Sequence, residues 1–303
     1  MDDANETGVS EFILLGFSYL EAYQSALFWA VLFVYLVTLL GNFLIITLTL
    51  LDPVLNSPMC FFLRHLSIVQ ILHTTTSVPR MLADILCSHA AISPGSYFTQ
   101  MYFFVLFGIA ECCLLTAMVY DRYAAICQPL HYAMLMKQQV CVGMVGIITG
   151  TVDSIFIFTL PFEGTNIVHH FLCDLLPVLI LAREDTFWAE VANLTLAFLF
   201  IMTPFALVIF SYVRILITIL GVASAQGHQK VFSTCSSHLM VVTLFFGTGT
   251  IAYMRPSANA TQDVEQILSL FYTVVTPMLN PFIYTLRNKE VMGALRHKVT
   301  KHL

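Results

Sequence analysis

Charged residues are scarce in this sequence: only 10% of its 303 residues are Asp, Glu, Lys or Arg, while 58% are hydrophobic. A water-soluble globule of this length needs more polar surface than that, so the composition excludes a soluble protein. Glycine and proline are modest, at 14 and 11 residues. The sequence has neither a low-complexity tract nor an internal repeat of the kind found in solenoids. We therefore predict one integral membrane domain over residues 1–303.

The residue patterns of an enzyme are also missing from the sequence. It contains no phosphate-binding loop, no nucleophile paired with a base and no set of catalytic metal ligands, so we predict neither enzymatic activity nor a cofactor. Repeated halves and a row of intramembrane charges, which are typical of transporters, are missing too. A transporter or channel is therefore the weaker alternative to a receptor, and no nucleic-acid partner is expected.

Long apolar runs, in contrast, are abundant. About 20 mainly apolar helical residues cross the roughly 30 Å of bilayer hydrocarbon. Seven runs qualify, with bounds taken from turn and charge signals. The predicted helices are 24–51, 58–83, 95–127, 140–162, 192–220, 231–255 and 264–286. The predicted fold is thus an all-α membrane protein, a seven-helix bundle over 24–286 between a tail at 1–23 and a short amphipathic cytoplasmic helix and tail at 287–303.

The positions of Lys and Arg predict the orientation of the bundle. With the amino terminus outside, only Arg80, Arg183 and Arg255 of the 13 basic residues fall on the outer side. This is the positive-inside pattern of multi-pass membrane proteins. A cleavable signal peptide begins with basic residues, and the tail at 1–23 has none. The first helix is therefore expected to be an uncleaved anchor. Asn5 begins an exposed Asn-X-Thr glycosylation sequon.

An adjacent acid and base end the third apolar run, in the segment MVYDRYAAIC at 118–127. An unpaired charge in hydrocarbon costs a few kcal/mol or more, so Asp121 and Arg122 should lie at the cytoplasmic interface, neutralised by each other or by a neighbour. Such a pair on a membrane helix usually indicates a conformational switch. For the motif alone, a chance ion pair at a helix end is the alternative.

Further motifs follow the expected order of one receptor family. They are GN at 41–42, PMCFFL at 58–63, PLHY at 129–132, SY at 211–212, KVFSTCSSHL at 230–239 and PMLNPFIYTLRN at 277–288. Together with MVYDRYAAIC they resemble the vertebrate odorant receptors, a branch of the rhodopsin-like G-protein-coupled receptors, over nearly the whole chain. The resemblance implies a plasma-membrane receptor that binds a small odorant outside. Inside, it would activate a stimulatory, olfactory-type heterotrimeric G protein and raise cyclic AMP, and an export chaperone is a further partner to consider.

The seventh predicted helix contains a hinge candidate. Pro281 removes a backbone donor inside an apolar helix, and Asn280 can bond the freed groups, so a bend with two arrangements is expected, with a static kink as the alternative. The coincidence of Tyr284, Tyr212 and Arg122 at three cytoplasmic helix ends favours the switch. The resemblance implies a G-protein coupling set made of Asp121, Arg122, Tyr123, Tyr212, His238, Asn280, Pro281 and Tyr284.

Helical spacing predicts a ligand pocket. Phe104 lies 18 residues before Arg122, a whole number of turns at 3.6 residues per turn, and Gly108 and Glu111 are close to the same face. By resemblance, this stripe faces the fifth, sixth and seventh helices, and the largely apolar set suits a small, mostly hydrophobic molecule. Simple packing of the bundle is the alternative for each residue alone. The set is Phe104, Val105, Gly108, Ile109, Leu196, Phe200, Phe246, Gly249, Thr250, Tyr253, Leu270 and Thr273.

A buried polar site is predicted beside this pocket. An amine ligand is not expected, because Phe104 stands where aminergic receptors carry an acid. Glu111 is a buried carboxylate that should be protonated or bound to a cation. The family pattern has an Asp in the second helix where this chain has Gln70, and that change removes one negative charge from a potential sodium site.

The cysteines depart from the family pattern. Odorant receptors place one Cys at the top of the third helix and three in the following long loop, where they form two disulfides. The corresponding residues here are Tyr97, Glu163, Cys173 and Arg183, so neither bridge can form. Losing a bridge typically costs about 2–5 kcal/mol, which makes a poorly folded or degenerate receptor an alternative. A Glu163–Arg183 ion pair or a disulfide between Cys87 and Cys173 would compensate.

One loop motif suggests metal binding. His170, Cys173 and Asp174 resemble the HxxC[DE] pattern proposed as a metal-binding element in odorant receptors. Imidazole, thiolate and carboxylate suit copper or zinc. A structural role for these loop residues is the alternative.

Overall fold

A computed structural model describes most of the chain. The described residues are 11–17, 22–52, 55, 57–87, 90–127, 166–168, 170–174, 177–178, 181, 187–220, 225–253, 262–287 and 292–293. The predicted fourth helix (140–162), Asn5, Glu163, Arg183 and most of the segment 287–303 lie outside them.

Helices form nearly all of the described chain. They are α1 (Gln24–Leu51), α2 (Pro58–Leu86), α3 (Pro94–Cys127), α4 (Phe187–Ala197), α5 (Thr203–Leu220), α6 (Ala225–Tyr253), α7 (Gln262–Leu270) and α8 (Thr276–Arg287). A π-helical turn at Phe198–Met202 joins α4 to α5, and another at Phe271–Val275 joins α7 to α8. Each joined pair is one continuous stretch, so the described helices correspond to six of the seven predicted spans.

Four of the described stretches are long and apolar enough to cross a membrane. They are Gln24–Leu51, Pro94–Cys127, Glu190–Thr218 and Gln266–Ile283. Large apolar side chains such as Trp29, Leu40 and Phe210 point away from the rest of the chain and are more than half exposed. An apolar outer surface of this kind suits contact with lipid. The prediction of an all-α membrane protein is confirmed.

The α2 helix is not among these four, because its inward face is polar. Four polar side chains are buried on this face, those of Gln70, His73, Thr74 and Ser77. They lower the mean hydropathy of α2. Its start is well defined, since Ser57 accepts a hydrogen bond from the backbone N–H of Cys60 and a proline occupies the first helical position. The helix ends at Leu86, three residues beyond the predicted end at 83.

A small sheet covers one end of the bundle. Strand β1 (Phe12–Leu14) lies between β2 (Ala90–Ile92) and β3 (Ile167–Val168). It pairs antiparallel with β2 and parallel with β3. Phe12 and Leu14 point inwards and Ile13 is half-buried, the alternation that a strand over a core requires. We call this sheet together with residues 170–174 the sheet cap; part of the segment predicted as a tail at 1–23 belongs to it.

The α1 and α8 helices approach each other closely at a glycine. A Cβ atom on Gly41 would lie 2.8 Å from the Cβ of Pro281, closer than real Cβ contacts. The next residue, Asn42, is fully buried, and its Nδ2 donates to the carbonyl of Thr38 at 3.0 Å. The glycine at the start of the GN motif is therefore explained by the contact with the predicted hinge.

Candidate functional site

A cavity of about 130 Å³ lies inside the bundle, between α2, α3, α4, α6 and the two π-helical turns. Engineered apolar cavities of about 150 Å³ hold a benzene-sized molecule, so the volume suits a small ligand. The lining is mostly aliphatic and aromatic. It consists of His73, Met101, Phe104, Val105, Gly108, Ile109, Cys112, Asp174, Asn193, Leu196, Ala197, Phe200, Ile201, Phe245, Phe246, Gly249 and Tyr272.

Eight of the twelve residues predicted for the pocket line this cavity, namely Phe104, Val105, Gly108, Ile109, Leu196, Phe200, Phe246 and Gly249. Three others lie elsewhere. Thr250 directs its hydroxyl to the sulfur of Met202 at 3.6 Å, Leu270 packs against a buried apolar cluster, and Thr273 is buried off the lining. The side chain of Tyr253 is outside the described residues. Contact of the eight with a ligand remains a prediction.

Helix α2 and the loop before α4 also contribute side chains to the cavity, and the predicted set contains none of them. His73, on α2, lines the cavity and packs its ring against Phe104, with centroids 4.6 Å apart. Its spacing of three residues from Gln70 places both on one helix face, and this signal was present in the sequence. Asp174 and Asn193 add two further polar groups to the lining, and nothing in the sequence patterns pointed to them.

The predicted buried polar site has a different partner from the one expected. Glu111 is 1% exposed, and its Oε1 lies 3.3 Å from Nδ1 of His73, an ion-pair distance. The angle is not that of a hydrogen bond, since neither atom has a hydrogen-bond partner among the described residues. At 3.3 Å in a buried site, the interaction between the two side chains is electrostatic whatever the angle. Gln70 is buried close by in sequence, with Nε2 unpaired in the described part of the chain.

The amino-terminal segment closes the sheet cap over the bundle. Phe17 is 2% exposed and stacks on Phe171 at 4.8 Å, and its backbone N–H donates to Oε1 of Gln266 at 3.1 Å. Its φ of 49° is uncommon for a residue with a side chain, so these contacts hold it in place. A Cβ on Gly16 would lie 2.5 Å from the Cβ of Phe171. Only glycine fits this approach.

Tyr97 replaces the missing cysteine at the start of α3. Its ring is fully buried against Phe12, with centroids 5.3 Å apart, and its hydroxyl donates to the carbonyl of Asp174 at 2.7 Å. Helix and loop are thus joined by a hydrogen bond and aromatic packing where relatives are expected to have a disulfide. This substitution was not foreseen, because the sequence shows the loss of a cysteine but not the space that a tyrosine ring fills.

The predicted disulfide between Cys87 and Cys173 is wrong. Both are free thiols; Cys87 is exposed at the end of α2, and Cys173 is fully buried in the sheet cap. The Sγ of Cys173 donates weakly to Oε1 of Gln100 at 3.5 Å. Burial raises the pKa of the Cys173 thiol well above its ordinary value, so it is an inert packing group.

The predicted metal site at His170, Cys173 and Asp174 is also wrong for the chain as far as the structure describes it, where no three potential ligands come together. Both nitrogens of His170 are engaged. Nδ1 accepts from the backbone N–H of Leu172 at 2.9 Å, and Nε2 lies 3.2 Å from the hydroxyl of Ser269. Burial lowers the pKa of His170 from 6.5 to about 4. The imidazole is a structural link between the sheet cap and α7.

The opposite end of the bundle holds the predicted coupling residues. Asp121 is buried, and Arg122 is half-buried with Nε unpaired among the described residues. Tyr212 on α5 packs in a buried cluster that contains Met118 and against which Tyr123 packs. The cluster therefore joins α3 to α5, as does a contact of 3.4 Å between Sγ of Cys127 and Oγ1 of Thr218.

The hinge candidates, Asn280 and Pro281, lie within α8. Asn280 is 2% exposed, and neither its Oδ1 nor its Nδ2 has a hydrogen-bond partner in the residues described. Pro281 is buried inside the helix. The side chains of His238 and Tyr284 lie outside the described residues, so their part in the predicted switch remains a prediction.

Comparison of the sequence with known proteins points to one family. The sequence profile named "Olfactory receptor" matches residues 31–302. The chain is 62% identical to olfactory receptor 10P22 of Mus musculus, over 100% of this chain and 99% of that relative. It is 56% identical to olfactory receptor 10P1 of Homo sapiens, over 99% and 98%, and 48% identical to human olfactory receptor 10A7, over 98% and 96%.

Proposed function

The chain belongs to the olfactory receptor family, and from this premise we propose that it binds a small, mostly hydrophobic volatile molecule in the cavity and raises cyclic AMP through a stimulatory, olfactory-type G protein. Membership makes it a multi-pass membrane receptor and not an enzyme, with an odorant as ligand and a G protein as partner. The ligand class, the type of G protein and the rise in cyclic AMP are what we propose beyond family membership.

The observation that carries the proposal is the cavity itself. Its walls come from α2, α3, α4, α6 and both π-helical turns, so a ligand inside it touches helices whose relative positions can change. A ligand shifts such an equilibrium only by its differential affinity for the two arrangements. The π-helical turns support this, because such irregular turns often lie at functional sites in helices.

We propose that the change of conformation is coupled to the G protein by a set of residues at the cytoplasmic helix ends and in α8. The set is Asp121, Arg122, Tyr123, Tyr212, His238, Asn280, Pro281 and Tyr284. The amide of Asn280, buried and without a hydrogen-bond partner among the described residues, supports a two-state element, since a changed arrangement of α8 could supply one. We also propose plasma-membrane localisation with an extracellular amino terminus glycosylated at Asn5, and one receptor domain over 1–303. An export chaperone remains a proposed partner.

A cyclic AMP reporter with an odorant panel tests the ligand site. Gly249 lines the cavity, and a Cβ there would meet Ile201 at an ordinary 3.8 Å. Gly249→Val should therefore fold and fill part of the cavity, raising the half-maximal concentration of bulky odorants by about tenfold or more. Gly247→Val is the matched control, since a Cβ on Gly247 has nothing within 4 Å. Equal effects of both variants at equal surface expression would contradict the site.

Coupling is tested by replacing Arg122. Arg122→Ala should abolish the cyclic AMP response while a bound odorant still raises the thermal stability of the purified receptor. A full response from this variant would contradict the assigned role.

The degenerate-receptor alternative follows from the missing cysteines. The fully buried Tyr97 and its 2.7 Å hydrogen bond to Asp174 favour a folded receptor instead. Surface expression far below that of family members with both disulfides would favour the alternative.

A further inference from the structure

The cavity is lined by an imidazole, that of His73, to which the proposed signalling assigns no role. His73 is 5% exposed, lines the cavity and lies against Phe104. Neither ring nitrogen has a hydrogen-bond partner among the residues that the structure describes. A buried polar group without a partner is destabilising. A ligand that supplies the partner therefore binds more tightly than one of the same shape that does not.

The neighbouring carboxyl group decides which kind of partner is needed. Nδ1 of His73 lies 3.3 Å from Oε1 of Glu111, and the two side chains are 7% and 1% exposed. A net charge is strongly penalised in such a site. The favoured forms of the pair are therefore neutral overall, either an imidazolium beside a carboxylate or a neutral imidazole beside a carboxylic acid.

The neutral forms differ in where the hydrogens of His73 lie. In the imidazolium, both ring nitrogens carry a hydrogen. Beside a neutral Glu111, the single ring hydrogen is on Nε2 when the acid proton is on the side of Nδ1, and on Nδ1 when the carbonyl oxygen of the acid faces it. Two of these three neutral arrangements make Nε2 a hydrogen-bond donor.

We propose, resting on the proposed function, that His73 selects odorants carrying a neutral oxygen acceptor, above all a carbonyl group, on a short aliphatic body. Most of the remaining lining is apolar, as at Ile109, Phe200 and Phe246, and it suits the aliphatic part. A carboxylate ligand is disfavoured, because it would add negative charge beside Glu111 while no Lys or Arg lines the cavity in the described part of the chain.

The test compares compounds that differ only at the acceptor. 2-Heptanone and 2-methyl-1-heptene have the same number of heavy atoms, with a methylene group replacing the carbonyl oxygen, and the shorter and longer homologues give further pairs. The ratio of half-maximal concentrations, alkene over ketone, is measured for wild type and for His73→Phe. We expect the ratio to fall by about 5- to 10-fold in His73→Phe, which keeps a ring beside Phe104 but has no donor.

Two further variants separate this role from a structural one. His73→Gln keeps N–H donors at a similar reach and should preserve most of the ketone preference. Val105→Ala widens the cavity without changing a polar group. It should therefore change the half-maximal concentrations of the ketone and of the alkene by the same factor. If His73→Phe does not reach the cell surface, wild type compared with His73→Gln and Val105→Ala still decides the matter.

The possible failures are distinguishable. Ketone and alkene of equal potency on wild type, or a preference that survives in His73→Phe, would overturn the role of His73 and leave the proposed function standing. The same holds for a receptor that responds to other odorants but to no ketone. A wild-type receptor that is present at the surface but silent towards the pairs and the whole odorant panel would overturn both proposals.

Discussion

At the scale of single residues, Tyr97 is the clearest adaptation of this chain. Its ring fills the space beside Phe12, and its hydroxyl satisfies the carbonyl of Asp174. A disulfide stabilises mainly by restricting the unfolded chain, whereas this tyrosine acts only in the folded state. The link between α3 and the loop therefore depends on the packing around it.

Removing the hydroxyl should weaken this link. Tyr97→Phe leaves the ring in place but the carbonyl of Asp174 without its donor, so we expect a loss of about 1–3 kcal/mol and a lower melting temperature of the purified receptor. Tyr97→Leu, which also loses the contact with Phe12, should lower it further. An unchanged melting temperature in Tyr97→Phe would show that the hydrogen bond contributes nothing.

His170 should make the sheet cap sensitive to acid. Burial lowers its pKa to about 4 from an ordinary 6.5. Between these values the unfolded chain binds a proton that the folded cap does not, so stability falls as the pH falls from about 6.5 to about 4. Melting temperatures at pH 7.5 and pH 5 measure the effect.

A non-titrating variant supplies the control for this pH dependence. In His170→Asn, the side-chain oxygen can accept from Leu172 N–H as Nδ1 does. Its melting temperature should fall less between pH 7.5 and pH 5 than that of wild type. An equal fall in melting temperature for wild type and His170→Asn would exclude His170 as the cause of the pH dependence.

At the residue scale, helical spacing is what the sequence alone can use to group side chains on one helix face. The stripe from Phe104 to Ile109 lines the cavity because its residues repeat with the helical period. Thr273 lies within the π-helical turn at Phe271–Val275, and such a turn shifts the phase of neighbouring side chains. Thr250 lies on α6 and directs its hydroxyl to Met202. The sequence does not signal a π-helical turn.

At the scale of elements, helices were predictable and strands were not. Long apolar runs give α1 the predicted bounds of 24–51. The strands contain three, three and two residues, and their pairing depends on segments far apart in sequence. Such short strands have too few positions for a recognisable alternation.

The contact between α1 and α8 allows a test at this scale. A Cβ on Gly41 would lie 2.8 Å from a rigid proline ring, so Gly41→Ala must push the helices apart. We expect a loss of about 1–3 kcal/mol together with altered basal cyclic AMP, because Pro281 is the proposed hinge. Gly247→Ala is the control, with open space around the new methyl group. Identical behaviour of the two variants would contradict the importance of this contact.

At the scale of the whole molecule, the cavity lies between two differently built ends. The sheet cap joins the amino-terminal segment to α2, α3 and the loop before α4. At the other end, Tyr212 and Met118 belong to a buried apolar cluster. The cavity therefore lies between a hydrogen-bonded sheet and packed helix ends.

Reducing agents should leave this receptor intact. Cys60, Cys87, Cys112, Cys113, Cys127 and Cys173 are free thiols. We therefore expect odorant responses and melting temperature to be unchanged by dithiothreitol. A family member with all four loop and helix cysteines should lose stability under the same treatment. Loss of response in this chain would reveal a disulfide involving residues beyond those described.

The order of strands in the sheet cap also dictates the order of assembly during synthesis. β1 is made first, yet both of its neighbours come later, β3 only at Ile167–Val168. Phe12 and Leu14 can pair with β2 once residues 90–92 are made, whereas the pairing with β3 waits until more than half of the polypeptide has been translated. A nascent chain stalled in between therefore holds the sheet cap with one of its two strand pairings.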